Sequence, residues 1–338
     1  MIQRLRFLLI FSFRWNVKRR LVDELNRMQL SVSSARKGLD VAEIRLRLET
    51  RLFGIGEKLI YLPTVDSTNS FAMKLANERP EEGVVVLTDS QTAGRGRLGR
   101  RWVDMFGCNV LSSTLLRPLF PPHLLVMVAS LAIVDAIAKT CGIAAVIKWP
   151  NDVLIGDRKV AGILIETSHI PRRTMEQERS SQLIAVLGIG VNVNGSIVDI
   201  PVAPSLVASQ SLERHPQGGP DSLSVTATTL ETECGHVVSR EAFITHLLQR
   251  IEADYLQLQQ EAQEPFFTAN GHGPVSHTIW EQWRSQLSTL GRPIYVHQGG
   301  TVVSGIAEEV SENGELLLRH HSGELVPIHW GDVGYPTE

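Results

Sequence analysis

Apolar positions recur along the chain at helical and at strand spacing, and the switches between the two mark out its elements. Val17, Leu21, Leu25 and Met28 share one helical face over residues 16 to 28, and Val41, Ile44 and Leu48 share another over 40 to 51. Lys58 to Val65 reads as a strand. Asp66, Ser67, Thr68 and Asn69 are helix-capping residue types ahead of the apolar run Phe71, Leu75 and Ala76, so a helix begins there and stops at Pro80. Gly83 to Thr88 predicts a buried strand, Asp89 to Gly107 a polar glycine-rich loop, and Asn109 to Leu116 the next strand. Pro121 to Lys139 is apolar almost all round, which marks a central helix, with Gly142 just past its end. Three strands follow, Ala145 to Trp149, Val160 to Thr167 and Leu183 to Val193; Pro150, Asn151, Asp152 and a Gly156-Asp157 turn join the first two.

Residues 195 to 224 are rich in Pro, Ser and Gly without a period, which predicts an extended loop. Ser239 caps a helix carrying the stripe Phe243, Leu247, Ile251, Tyr255 and Leu258. A loop over 259 to 277 and a short helix from Thr278 to Leu290 come next. From Arg292 the pattern becomes short alternating strands, Ile294 to His297, Thr301 to Glu308, Glu315 to His320 and Glu324 to Ile328, separated by glycine turns. That spacing predicts a small antiparallel barrel or hairpin stack of about 45 residues.

Composition narrows the class without naming a function. The 338 residues predict about two domains, and 43% hydrophobic residues with a mean hydropathy of +0.00 exclude a disordered or collagen-like chain. Cys108, Cys141 and Cys234 form no CxxC pair, so neither a zinc knuckle nor a disulfide framework is expected, and a reducing, cytoplasmic setting is. No apolar run is expected to span a membrane, and no signal peptide is evident. The net charge of −3 conceals a basic head: residues 1 to 38 sum to +7 and the remainder to −10.

Candidate chemistry concentrates in four places. Gly94 to Arg101 packs four arginines and three glycines into eight residues, a flexible segment able to wrap a phosphate or carboxylate. Gly94, Gly96 and Gly99 satisfy GxGxxG, yet no helix opens at them, so the dinucleotide-binding interpretation fails; a solvated basic loop or an RNA contact stays open. Lys148 ends a strand beside this loop, where an amine can stabilise developing negative charge, or can equally be an ordinary exposed lysine. Gly188, Gly190, Asn192 and Asn194 alternate on one strand face, leaving it bare for a flat ligand or for tight packing. Ser67, Thr68 and Asn69 cap their helix and can offer hydroxyl and amide groups to a polar ligand at the same time. No histidine pair forms a metal-ligand motif.

Taken in order, Asp66-Ser-Thr-Asn69, Gln91-Thr-Ala-Gly-Arg-Gly-Arg-Leu-Gly-Arg100, Lys148-Trp-Pro-Asn-Asp152, Arg158-Lys-Val-Ala-Gly162 and Gly188-Ile-Gly-Val-Asn192 closely resemble the biotin protein ligases. The resemblance is strong over 58 to about 195 and looser through the Trp280-Glu-Gln-Trp283 helix and the terminal strands. It implies an α+β fold: a mixed central sheet with helices, like that of class II aminoacyl-tRNA synthetases, plus a small C-terminal β-barrel. The implied organisation is a basic leader over 1–57, a catalytic domain over 58–290 with a loop insertion at 195–226, and the barrel over 291–338.

The implied activity is ATP-dependent formation of biotinyl-5'-AMP and transfer of biotin to a lysine of the biotin carboxyl carrier domain of acetyl-CoA carboxylase. ATP would arrive with Mg2+, with no metal bound through a protein motif. By the same resemblance Ser67, Thr68, Asn69, Gln91, Arg95, Gly96, Arg97, Lys148, Gly188 and Gly190 would hold biotin, and Arg100, Trp102, Asn151, Asp152, Lys159 and Asn192 the adenylate or ATP, with Lys148 and Arg97 catalytic. Lipoate or octanoate ligation is the neighbouring alternative, and a nucleic-acid-binding regulator the one from another class. Many family members begin with a winged helix-turn-helix; Val17 to Leu25 followed by Ser31 to Gly38 looks at most like its recognition helix and wing. A remnant, a truncated start or an unrelated basic helix stay open, and DNA binding is not expected. Members often dimerise through the catalytic sheet, which leaves a homodimer open here; no membrane partner is expected.

Overall fold

Strand pairing in the computed structural model follows directly from the lengths of the connections. Residues 37–78, 82–171, 181–196, 227–264 and 273–336 are described; the expected helix over 16 to 28 and nearly all of the 195–226 stretch lie outside them. Strand β1 (Leu59–Val65) runs parallel to β2 (Val85–Gln91), because the helix between them, α2 (Thr68–Glu78), carries the chain back across the sheet. An earlier short helix, α1 (Val41–Arg47), is capped by Asp40, whose carboxylate accepts from the Glu43 N–H at 3.0 Å. It ends before the expected residue 51 because the N–H groups of Arg51, Leu52 and Phe53 are taken by the Glu252 carboxylate.

The other strands are antiparallel: β3 (Asn109–Leu116), β4 (Val146–Lys148), β5 (Asp152–Ile155), β6 (Arg158–Pro171) and β7 (Ser181–Asn192), in the spatial order β1-β2-β3-β7-β6-β5-β4. Two boundaries differ from expectation for backbone reasons. Gly83 has φ +86° and lies against the Leu52 carbonyl, so β2 starts only at Val85. The expected connection over 150 to 157 contains a strand of its own, β5, which forms a hairpin with β6 through Gly156 at φ +59°.

One face of the sheet is covered by α3 (Leu124–Cys141), which buries residues on every side, and by α5 (Arg240–Glu261), whose Phe243, Leu247, Ile251, Tyr255 and Leu258 pack into the same core. Helix α3 is 18 residues long with a mean hydropathy of 2.0, long and apolar enough to cross a membrane, against the expectation that no run would be; its burial makes it a core helix here. The other face is covered only in part: α2 packs Ala72 and Ala76 onto Val86, Leu115, Ile184 and Val186. The next two positions on that face of β7 are Gly188 and Gly190, and there the face stays open.

The short α4 (Leu230–Cys234) precedes α5 and sits at the end of β7, where the Glu231 N–H donates to the Val193 carbonyl at 2.8 Å, and α6 (Pro274–Ser285) follows α5 and leads to the second sheet. The last helix runs several residues earlier than the expected 278–290. Pro274 sits in its first turn, the Glu261 carboxylate accepts the Ser276 N–H at 3.0 Å, and residues 286 to 288 leave it to pair with Ile147. The C-terminal strands β8 (Pro293–Gln298), β9 (Thr301–Val310), β10 (Leu316–Arg319), β11 (Leu325–Ile328) and β12 (Asp332–Gly334) form an antiparallel sheet in the order β11-β10-β9-β8-β12. It is the small antiparallel β unit that was expected, and its end strands, β11 and β12, do not pair among the described residues, so the barrel is not closed there. Its apolar face joins the main core, and Trp149 and Trp280 donate their indole N–H groups to the Gly314 and Ser311 carbonyls at 2.9 and 3.0 Å.

Candidate active site

The start of α2 supplies a buried polar cluster. Ser67, Thr68 and Asn69 are each 3–4% exposed, because β3 and β7 press against them from the sheet. Gln91, at the end of β2, accepts the Thr68 N–H at 2.9 Å, which orients its amide. Ser113 of β3 places its hydroxyl 2.7 Å from Thr68 Oγ1 and 2.6 Å from Asn69 Oδ1. The Asn69 amide nitrogen donates to the Leu164 carbonyl at 3.3 Å and to Glu166 Oε2 at 2.9 Å. A Cβ on Gly188 would overlap the Asn69 amide, which explains the bare position.

Gly190 is bare for a different partner. A Cβ there would lie 2.6 Å from the Trp102 indole, and one on Gly162 would lie 3.0 Å from it, so the two glycines form a floor for that ring. Lys159 Nζ sits 5.8 Å from the centre of the same ring. Trp102 closes a hairpin: its N–H donates to the Gly94 carbonyl at 3.0 Å, and the Gly96 N–H donates to the Arg100 carbonyl at 2.7 Å. Leu98 and Gly99 make the tip, with φ +55° and +76°. The arginine-glycine segment, expected to be a flexible wrap, is thus a defined hairpin that holds its guanidinium groups over the open sheet face.

Charge in the cleft is unbalanced. Lys148 is only 4% exposed, and among the described residues no carboxylate lies within 4.0 Å of its ammonium. Asp152, opposite it across the β4–β5 ladder, is engaged by Lys159 at 2.6 Å. Burial lowers the Lys148 pKa, and Asp152 offsets this only in part. Arg97 donates to Asn151 Oδ1 at 2.7 Å and has no carboxylate partner among the described residues; burial lowers its pKa too. Arg95 and Arg100 are paired, with Glu166 at 2.6 Å and with Asp332 of β12 at 2.5 Å. Two cations without an ion-pair partner within 4.0 Å among the described residues, Arg97 on the cleft and Lys148 on the smaller cavity beside it, give this end of the site a chemistry suited to an anion.

Comparison with known proteins assigns the fold. The family model described as the biotin/lipoate A/B protein ligase family matches residues 61–181. A biotin–[acetyl-CoA-carboxylase] ligase of Paracoccus denitrificans is 34% identical over 270 residues, 78% of this chain and 95% of that protein. The bifunctional ligase/repressor BirA of Bacillus subtilis is 32% identical over 299 residues, 87% of this chain and 78% of that protein. The chain belongs to the biotin protein ligase family. Among solved structures, the biotin protein ligase of Aquifex aeolicus in complex with biotin and ATP is similar with a TM-score of 0.57 and 26% identity, covering 82% of this chain and 97% of that one.

Within this ligase fold the cleft has a volume of about 120 Å³ and opens to solvent. It brings together Ser67, Thr68, Asn69, Gln91, Arg95, Gly96, Arg97, Arg100, Trp102, Asn151, Asp152, Lys159, Gly188 and Gly190. Lys148 opens onto an adjoining smaller cavity that shares Arg100, Asn151, Asp152 and Asp332 with the cleft. Asn192 is the exception: it is 5% exposed, accepts from Asn109 at 3.5 Å and does not line the cleft. Four residues at the site had not been expected: Ser113, Glu166, Asp332 and Tyr335, whose ring lies 5.2 Å from Lys148 Nζ. Ser113 stands between Ser112 and Thr114, and Glu166 begins the polar run to His169, so alternation singles out neither; Asp332 and Tyr335 follow a glycine turn without a strand pattern. No group of three His, Cys, Asp or Glu positioned for a metal exists among the described residues.

Proposed function

We propose that the protein is a biotin–protein ligase that activates biotin with ATP and transfers it to a lysine of the biotin carboxyl carrier domain of acetyl-CoA carboxylase. The observation that carries this reading is the pair of cations without counter-ions, Lys148 and Arg97, beside a neutral cluster of hydroxyl and amide groups. The neutral cluster, Ser67, Thr68, Asn69 and Gln91, suits a polar uncharged ring, and Gly188 and Gly190 let Asn69 and Trp102 lie close against the sheet beside it. The relatives' names supply the substrates: one is named for acetyl-CoA carboxylase, and the Aquifex enzyme was solved with biotin and ATP.

In the first step a biotin carboxylate oxygen forms a bond to the α-phosphorus as the α–β bridging bond breaks, releasing pyrophosphate. Lys148 and Arg97 stabilise the negative charge on the carboxylate and phosphoryl oxygens, and Arg100, Lys159, Asn151 and Asp152 flank the nucleotide. In the second step the carrier lysine, as the free amine, forms a C–N bond to the acyl carbon; the bond to AMP breaks and the amine loses its proton. The arginine hairpin keeps water from the mixed anhydride between steps. Mg2+ would enter with ATP, on its phosphates. The proposed organisation is a basic leader over 1–57, a catalytic unit over 58–290 and a terminal unit over 291–338, in a cytoplasmic enzyme. Pyrophosphate exchange with biotin against lipoate tests the reading: exchange with biotin alone is expected, and exchange with lipoate alone, or with neither acid, overturns it.

A further inference from the structure

We propose, on the ligase reading above, that His329 is a catalytic residue of the second step: aligned by Glu315, it takes the proton that the carrier lysine must lose before it can attack. At pH 7 a lysine with a pKa of about 10.4 is a free amine in only about 0.04% of molecules. Its ammonium would also approach Lys148 and Arg97, cations with no carboxylate partner among the described residues, and like charge disfavours the charged form. The amine therefore has to arrive neutral, and its proton needs an acceptor outside the cationic end of the cleft. A larger cavity, of about 500 Å³ and open to solvent, adjoins the cleft there; the two share Arg97, Asn151 and Ile163. Its wall is apolar at Met127, Trp149, Pro150 and Trp283, which suits the methylene stem of a lysine, and Glu315 gives it the negative charge that attracts an ammonium. His329, on the same wall, places Nδ1 2.8 Å from Glu315 Oε1, and Ser311 donates to Glu315 Oε2 at 3.0 Å. A carboxylate only accepts, so the neutral ring carries its proton on Nδ1 and keeps the lone pair of Nε2. Among the described residues the other carboxylates lining the cleft and its two adjoining cavities, Asp152 and Asp332, are held by Lys159 and Arg100 at 2.6 and 2.5 Å. Nε2 takes the ammonium proton and, from a side chain 65% exposed, passes it to water. The second proton leaves by the same ring as the C–N bond forms and the bond from the acyl carbon to the phosphate oxygen breaks, its electron pair going to AMP.

Single-turnover mixing separates the steps. Full-length enzyme loaded with biotin and ATP is mixed with the carrier domain of acetyl-CoA carboxylase, or with hydroxylamine, an amine already neutral at pH 7 that needs no base. His329→Gln should slow transfer to the carrier about 100-fold, the scale of general base catalysis, while pyrophosphate exchange and hydroxylamine capture stay within about twofold of wild type. Glu315→Gln, which leaves the ring without its charged partner, should slow transfer about tenfold with the same selectivity, the scale of one net hydrogen bond. Transfer by His329→Gln at the wild-type rate overturns the proposal. Equal slowing of transfer, capture and exchange, the pattern of a merely structural role, overturns it as well. Should His329→Gln fail to fold, Glu315→Gln must show the split by itself, and a variant that lacks the split overturns the proposal. A wild-type protein that forms no biotinyl-AMP would overturn the ligase reading together with it, whereas an adenylate that forms and reaches the carrier as fast without His329 overturns this assignment alone.

Discussion

Lys148 shows what a site residue gives up for its position. Its ammonium is buried without an ion-pair partner among the described residues, and burial lowers its pKa in the folded chain below the usual value of about 10.4. Between the lowered value and the unfolded one, the unfolded chain binds more protons, so this residue's contribution makes the fold more stable as pH rises through that window. Activity should run the other way, because the charged form is what stabilises the developing oxyanions. The alkaline limb of kcat/KM for biotin-dependent pyrophosphate exchange should fall below the ordinary lysine range, and Lys148→Arg should move it upward; a limb at the ordinary lysine value would contradict this. Lys148→Ala should slow adenylate formation about 100-fold or more while the thermal midpoint holds or rises, since an uncompensated charge has been removed. Near-wild-type pyrophosphate release by that variant would remove Lys148 from the chemistry. Arg97→Gly should loosen the hairpin from Asn151 and let biotinyl-AMP escape, labelling bystander proteins; labelling confined to the carrier would refute that role. At this scale the sequence was most informative where residues do two jobs. Ser67, Thr68 and Asn69 were legible because helix capping marks them, whereas Ser113 and Glu166 were not, because each sits in a run of polar residues, Ser112 to Thr114 and Glu166 to His169, in which alternation singles out no one position.

At the scale of elements, β7 is the clearest example of a strand whose sequence is written by its neighbours. Two glycines weaken a strand, and here each is required by a side chain lying on it, Asn69 on Gly188 and Trp102 on Gly190. Gly190→Ala should push the indole off its floor; overpacking of this kind costs about 1–3 kcal/mol. The expected signs are a lower denaturation midpoint and a weakened nucleotide step with biotin affinity near wild type, and a variant with unaltered ATP KM would show that Trp102 does not report on that half of the cleft. The bare face of β7 was legible from alternation alone, but what fills it was not, since contacts across about 90 to 120 residues of sequence leave no local trace. The same holds for boundaries. Periodicity located β3, α3, α5 and the long β6–β7 pair, while β5, β12 and the start of α6 escaped because tertiary hydrogen bonds, to β6, to β8 and to Glu261, decide them. The arginine segment was correctly separated from dinucleotide-binding loops by the strand that follows it, yet its closure into a hairpin depends on the Leu98-Gly99 tip, a backbone choice that composition does not reveal.

For the molecule as a whole, the division into a large and a small sheet does not divide the core. Ile294, Val296, Leu316, Leu318 and Ile328 of the terminal sheet belong to the same apolar cluster as α3 and β4, and the polar links across the junction are specific: Trp149 to Gly314, Trp280 to Ser311, Arg284 to Glu309 and Arg100 to Asp332. Asp332 and Tyr335 also reach the Lys148 cavity, so the terminal sheet is part of the wall that keeps this lysine from water. A segment of its length alone would rank as an appendage; its contacts make it a structural partner of the catalytic sheet. Full-length protein should therefore unfold in one cooperative transition with coincident near- and far-ultraviolet circular dichroism, and two separated transitions would show that the sheets are independent. Ending the chain after Leu290 should unwind this arrangement from both sides, exposing Trp149 and the apolar face of β4 while leaving Lys148 hydrated. The truncated protein should aggregate or lose its cooperative transition, and any folded fraction should have a red-shifted tryptophan emission. Pyrophosphate exchange should fall more steeply than biotin binding, because the neutral cluster at the start of α2 makes no contact with the deleted strands while the cationic half of the cleft does. A soluble truncated chain with cooperative unfolding and exchange kinetics like the parent would make the terminal sheet dispensable and return Lys148 to an environment set by β4 and β5 alone.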